Sequence, residues 1–367
     1  MKRIGILTFH CAHNYGAVLQ AYATQELLRG AGHDVQVIDY RPDYLTDPYR
    51  RIRLSRLKGR GGKLSLRNVV SEMLLFPFRC ARYAVFERFI RKYLCLSERV
   101  DMDSFKGEYD VILVGSDQVW NSRITGGRLD GMYMAEYPFP KGKRRYIADA
   151  VSMGRMYDDD KARVRNALSV FDAVSVREKE TADFLSSLST IDVRHIQDPV
   201  IQLDPSVWKT MVVPAVSVRP YIFVYRMRNH SSLDPFIRNI ADRYSADVVE
   251  VQAFPDAGKL FRSRQATGVM RFLELLAGAT YVVTTSFHGT VFSTIFQRPF
   301  TCFAFGDDKD MRQKSFLQDV GLEERMLPVG SEVPEDVSCC FAGVGERLAG
   351  MRREAADFIF TSMEKQL

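Results

Sequence analysis

Short β-branched runs alternate with amphipathic helical stretches along this chain, and that alternation restricts the possible folds more than any other feature. Ile4 to Thr8, Val35 to Asp39, Tyr109 to Val114, Tyr146 to Val151 and Ala173 to Val176 each read as a strand. Helical spacing fills the gaps, most clearly from Ala17 to Gly30, where Val18, Leu19, Tyr22, Leu27 and Leu28 recur. Strands that are apolar along their length and separated by helices belong to parallel sheets covered on both faces. A second series follows, with strands at Tyr221 to Tyr225, Val248 to Val251, Tyr281 to Val283 and Phe300 to Phe303. Its helices are expected from Leu233 to Tyr244, Val269 to Ala277, about Thr290 to Phe296, and Met311 to Val320. Between the series, Asp198-Pro199, Pro205, Pro214 and Pro220 cluster where no helical pattern runs through, which marks the expected boundary.

The expected architecture is therefore α/β, with two Rossmann-like domains facing a cleft. We assign residues 1–197 to the first domain, with a basic helical insertion at about 48–99, and residues 198–340 to the second. Residues 341–367 form a C-terminal segment whose helix, Val344 to Glu364, packs back across the first domain or against another subunit. A chain of 367 residues suits two domains of ordinary size.

Charge is spread unevenly. From Arg50 to Arg99 there are fourteen Lys/Arg against Glu72, Glu87 and Glu98, a local +11 that leaves −5 for the remainder. Leu74, Leu75, Phe76, Phe78, Tyr83, Phe86, Phe89, Ile90 and Tyr93 lie among these charges at helical spacing. Such a segment is a solvated helical face, a cover over an anionic substrate, or a peripheral contact with anionic membrane. Nucleic acid is not expected, because no nucleic-acid module accompanies the charge. The six cysteines show neither CxxC pairs nor metal spacing and read as reduced thiols. The N-terminus enters a strand without a signal segment, and no apolar run has spanning length, so a cytoplasmic location is expected, extending to the inner face of the membrane if the basic segment docks there.

Chemistry-bearing residues gather where predicted strands end. After Tyr281 to Val283 come Thr284, Thr285, Ser286, His288, Gly289 and Thr290, leading into a helix. A helix start offers free N–H groups and a positive dipole to an anion, and an imidazole there can exchange a proton near neutral pH. The same residues equally serve as caps and turn fillers. In the first turn, Asn14, Gly16 and Ala17 can bring backbone close to a ligand, and His10 and His13 share that loop. The stretch Gly115-Ser-Asp-Gln-Val-Trp-Asn121 sets a carboxylate, a hydroxyl and two amides at a strand end. Ser116, Gln118 and Asn121 suit a hydroxyl-rich acceptor, Trp120 is either a stacking platform or a buried anchor, and Asp117 is the best-placed general base. Arg177, Arg226 and Arg228 end strands and are candidate clamps for an anion.

These motifs together resemble the polysaccharide pyruvyl transferase family. The resemblance rests on Asn14-Tyr-Gly-Ala-Val-Leu-Gln-Ala-Tyr, Val114-Gly-Ser-Asp-Gln-Val-Trp-Asn, Ser152-Met-Gly, Ser175-Val-Arg-Glu, Asp198-Pro and Thr285-Ser-Phe-His-Gly-Thr, in that order. It implies a glycosyltransferase-B-like pair of domains, the first on the acceptor side and the second on the donor side. It also implies transfer of pyruvate from phosphoenolpyruvate to two sugar hydroxyls as a ketal, in cell-surface polysaccharide or glycan assembly. The implied acceptor is a sugar or lipid-linked glycan. Phosphoenolpyruvate is a co-substrate, and the chemistry demands no metal or organic cofactor. His288 and Asp117 are then the catalytic pair, with Ser286, Gly289, Thr290, Arg177, Arg226 and Arg312 on the donor. Well-studied members carry Arg-Leu-His where this chain has Ser286-Phe287-His288, so an anion ligand is missing at 286. Arg312 or Lys314 reaches in to replace it, or the donor differs. Two other readings fit the same scaffold: a nucleotide-sugar-dependent glycosyltransferase, and a non-catalytic glycan-binding protein.

Overall fold

The computed structural model describes residues 1–53, 65–154, 158–215, 217–259 and 263–364. Its first half runs β1 (Arg3–Leu7), α1 (Tyr15–Gly30), β2 (Asp34–Tyr40), α2 (Asp43–Thr46), α3 (Leu66–Tyr93), β3 (Leu96–Val100) and β4 (Val111–Asp117). It continues through β5 (Arg145–Val151), α4 (Lys161–Val170), β6 (Ala173–Val176), α5 (Lys179–Leu188) and β7 (Val193–His195). Two short helices, α6 (Pro199–Gln202) and α7 (Pro205–Met211), lead to the second half. That half comprises β8 (Tyr221–Arg226), α8 (Leu233–Arg243), β9 (Asp247–Gln252), α9 (Val269–Ala277), β10 (Tyr281–Thr284), α10 (Phe287–Ile295), β11 (Phe300–Ala304), α11 (Met311–Val320), β12 (Met326–Pro328) and the terminal α12 (Val344–Glu364).

Both sheets are parallel, as the apolar strands require. The first has seven strands in the order β3-β2-β1-β4-β5-β6-β7, and the second five in the order β12-β11-β10-β8-β9. Strand order reverses between β1 and β4 in one sheet and between β8 and β10 in the other. Such reversals open a crevice at the carboxyl ends of the strands, where ligands of open α/β sheets bind. The two crevices face each other, giving the two-domain, glycosyltransferase-B-like α/β arrangement.

The halves are joined by apolar packing. Tyr15 at the start of α1 stacks on Phe272 of α9 at 4.2 Å and meets Tyr225 of β8 edge-on at 5.6 Å. Trp208 of α7 packs against Tyr22 of α1 and Phe292 of α10. Fully buried aromatic pairs of this kind hold the cleft in one geometry. Helix α12 reaches the first sheet: Lys2 Nζ donates to the Met363 carbonyl oxygen at 2.9 Å, and His33 lies against Phe360.

Three features depart from the sequence reading. The first part of the proline-rich stretch after Gln197 is helical, because Pro199 and Pro205 each sit in the first turn behind an aspartate cap, while Pro214 and Pro220 lie outside helices. Asp198 accepts from Val200 N at 3.0 Å and Asp204 from Ser206 N at 2.8 Å. Proline lacks a donor that position does not use, so it starts these helices instead of breaking them. Strands β3, β7 and β12 lie at sheet edges, half-exposed and short, and so lack an apolar run. Within the basic insertion, Leu66–Tyr93 form one long helix, α3, which is not simply a solvated face. Arg79 and Arg82 are only 4% exposed, and Arg82 donates to the carbonyl oxygens of His13 at 3.0 Å and Gln252 at 3.1 Å. Through Arg82, α3 ties the first loop to the second half. The charges between 54 and 64 lie outside the described residues.

Candidate active site

Two helix starts meet across the cleft. Asn14 caps α1, its side-chain oxygen accepting from Gly16 N at 2.9 Å and Ala17 N at 3.4 Å. Ser286 caps α10, accepting from Gly289 N at 3.4 Å. Gly16 faces His288 so closely that a Cβ there would lie 2.0 Å from Nδ1. The glycine is needed for the imidazole, which only this close approach admits. Gly289 is equally restricted, since a Cβ would meet Thr284 Oγ1 at 2.3 Å.

A line of charged groups runs from His288 into the first half. His288 Nε2 lies 3.5 Å from Asp198 Oδ2 and has no hydrogen-bond partner among the described residues. Asp198 is fully buried and also pairs with Arg177 Nη1. Burial alone would raise its pKa, yet His288, Arg177 and the Val200 N–H outweigh burial and hold the carboxyl well below the usual range. Arg177 Nη2 is 3.4 Å from Asp117 Oδ1, while Arg177 Nε has no partner among the described residues. Asp117 ends β4 with φ of 75°, and its side chain remains one-fifth exposed toward the cleft. Left-handed backbone is uncommon for a non-glycine residue and here turns the carboxylate out of the strand line.

Arg312, on the first turn of α11, completes the cluster. Its Nε is 3.8 Å from Glu178 Oε1, and its guanidinium lies 5.8 Å from the Phe287 ring centroid. Burial and then the nearby Arg177 charge lower its pKa. Glu178 is buried, accepts from Ser152 Oγ at 2.6 Å, and leaves Oε2 without a partner among the described residues. Two guanidinium groups, an imidazole and two helix starts thus share one cleft with Asp117, Asp198 and Glu178. Such a set can hold a small anion and move a proton beside it.

Not every residue singled out from sequence reaches this cluster. Arg226, expected as an anion clamp, is saturated by both Glu250 oxygens at 2.8 Å and by Asp234 at 2.6 Å. Trp120, open on sequence grounds between a stacking platform and a buried anchor, is the anchor, with Nε1 donating to the Tyr133 carbonyl oxygen at 2.9 Å. Ser116 is buried and donates to the Ala150 carbonyl oxygen at 2.8 Å. Thr290 is buried and accepts from Gln313 Nε2 at 2.7 Å, joining α10 to α11. Gln118 and Asn121 stay half-buried at the rim, bonded to each other at 2.7 Å. Arg228 pairs with Asp307 and Asp310, and Lys314 is exposed. Asp198, Glu178 and Ser152 are cluster members whose roles their spacing in the sequence does not reveal. An aspartate before proline signals a helix cap, and only the fold reveals its second oxygen to be the partner of His288 and Arg177.

Residues 14–307 match the family model described as polysaccharide pyruvyl transferase. The chain belongs to that family. The matched span contains the Asn14 loop, Asp117, Arg177, Asp198 and His288, so the family's region coincides with the cleft. No curated protein matches the chain. Among solved structures, UDP-GlcNAc 2-epimerase from Neisseria meningitidis, bound to UDP-GlcNAc, is 12% identical, with 100% of both chains covered and a TM-score of 0.49. A putative UDP-N-acetylglucosamine 2-epimerase from Listeria monocytogenes is 12% identical over 99% of this chain and 89% of its own, with a TM-score of 0.48. The fold class of this pyruvyl transferase family member follows from its own two sheets and not from these likenesses.

Proposed function

We propose that this transferase moves pyruvate from phosphoenolpyruvate onto two hydroxyls of a sugar or lipid-linked glycan, forming a cyclic ketal. The observation that carries the reading is the buried His288 Nε2, unbonded among the described residues and backed by Asp198. The donor's phosphate and carboxylate suit Arg177, Arg312 and the start of α10. Arg312 takes the place of the arginine that relatives carry where this chain has Ser286.

In this mechanism His288 gives a proton to C3 of the donor, making its methyl group, while C2 becomes electrophilic. The first sugar hydroxyl attacks C2 and passes its proton to Asp117. The second hydroxyl then attacks C2, the bond to phosphate breaks, and phosphate leaves with the proton held by Asp117. The proton of the second hydroxyl returns to His288. Asp198, 3.5 Å from Nε2, orients the imidazole. Asp117 is positioned for its part by Arg177, 3.4 Å away.

Titration calorimetry with phosphoenolpyruvate tests the reading. The wild type should bind saturably, and His288→Ala should bind at least tenfold more weakly while melting at nearly the same temperature. Equal binding by the two proteins, or none by the wild type with or without a glycan acceptor, would overturn it.

A further inference from the structure

Helix α3 buries Leu75 but turns several other apolar side chains outward over its first half. A surface helix ordinarily turns apolar side chains inward and charges outward. Here Arg79 and Arg82 are buried, while Leu66 is 80% exposed, Val70 48%, Met73 70% and Leu74 53%. Positions 66, 70, 73 and 74 follow helical spacing and share one outward stripe, which Pro77, Ala81 and Ala84 extend. Farther along, the same stripe becomes cationic at Arg88, Arg91 and Lys92, all exposed. A contiguous outward apolar stripe of this length marks an interaction surface.

The charge around it selects the partner. Residues 50–67 hold eight Lys/Arg and no Asp or Glu. A second copy of the chain, laid on this stripe about a two-fold axis, would bring these cations against the same cations. An acidic surface that also accepts apolar side chains has the complementary chemistry, and a bilayer containing anionic phospholipid is such a surface. We propose that the outward face of α3 docks on anionic bilayer, with Val70, Met73 and Leu74 entering the headgroup boundary and the flanking cations meeting lipid phosphates. The inward face of the same helix holds the His13 carbonyl oxygen through Arg82, three residues before Gly16 and its contact with His288. Docking along α3 therefore fixes the cleft relative to the bilayer surface. Among the described residues no helix is long and apolar enough to cross a membrane, so the contact is peripheral.

Co-sedimentation of the full chain with vesicles tests this, using phosphatidylcholine alone and with about 30 mol% phosphatidylglycerol. Each cation near an anionic surface raises affinity about fivefold, so the expected preference for the anionic vesicles is at least tenfold, declining as salt rises. Met73→Glu with Leu74→Glu should reduce binding more than tenfold with an unchanged melting temperature. Arg88→Glu with Lys92→Glu, at the other end of the stripe, should reduce it as well. Binding that ignores anionic lipid, or survives both double variants, would overturn the proposal. So would a dimer in sedimentation velocity that Met73→Glu with Leu74→Glu dissociates.

Discussion

Gly16→Ala adds a single methyl group where the two halves meet. The new Cβ would lie 2.0 Å from His288 Nδ1 and 2.3 Å from Cε1. Unstrained contact between such atoms needs about 3.5 Å, so the imidazole or the start of α1 must move by about 1.5 Å. Asp198, 3.5 Å from Nε2 on the ring's other edge, leaves little room for the ring to retreat in place. Helix propensity acts in the opposite direction, because alanine is about 0.8–1.0 kcal/mol better than glycine inside a helix. Loss of function would therefore not come from α1 itself. Misplacing a reacting group by about 1 Å costs on the order of 10²-fold, or about 2.7 kcal/mol in the barrier. The assay is phosphate release from phosphoenolpyruvate with a glycan acceptor, with Gly30→Ala as control, since nothing lies within 4 Å of a Cβ there. With only six histidines in the chain, the His288 ring resonance also reports the displacement by NMR. A Gly16→Ala protein that keeps its rate within about threefold of the wild type, with an unmoved resonance, would refute this account of the loop.

Two further substitutions probe the buried carboxylates. Asp198→Asn keeps the cap on α6 but leaves Arg177 buried without its main counter-charge, so unfolding in urea should show a loss of about 3–5 kcal/mol. Adding Arg177→Met should restore much of that stability without restoring transfer, and strictly additive losses would contradict the pairing. Asp149 is fully buried, and burial raises its pKa from 3.8 to about 7, with Asp198 adding to the shift and Gln202 and Ser175 opposing it. Its folded state keeps a proton that the unfolded chain releases, so this contribution to stability is complete below pH 4 and is lost as pH rises through 7. Asp149→Asn removes that loss and should gain on the wild type by about 3 kcal/mol between pH 5 and pH 8. Parallel pH profiles for the two proteins would rule the carboxyl out as the cause.

Much of the site was legible because it lies where strands end. Asp117 ends β4, and Arg177 and His288 lie just beyond β6 and β10; the alternation of strand and helix places such positions at one edge of each sheet. What misled was side-chain type without knowledge of burial. Arg226 ends a strand as Arg177 does, yet Glu250, paired with it through the neighbouring β9, takes its guanidinium. Trp120, three residues after Asp117, is open between platform and anchor on sequence grounds, and only the turn sends it into the core beside Phe171. Polar residue types at a strand end are shared by sites and by caps, and spacing does not separate them.

The sequence by itself determined the inner strands of the two parallel sheets, most of their helices and the membership of the family, because these follow from hydrophobic period and local turn chemistry. Only the tertiary structure decided that Asp198 stands between Arg177 and His288, that Gly16 exists for an imidazole 272 positions away, and that α3 buries Arg79 and Arg82 while exposing Leu66, Met73 and Leu74. Each of these depends on distant segments meeting across the cleft. Periodicity records which face of an element is apolar, whereas the partner that occupies that face is set by packing between elements far apart in the chain.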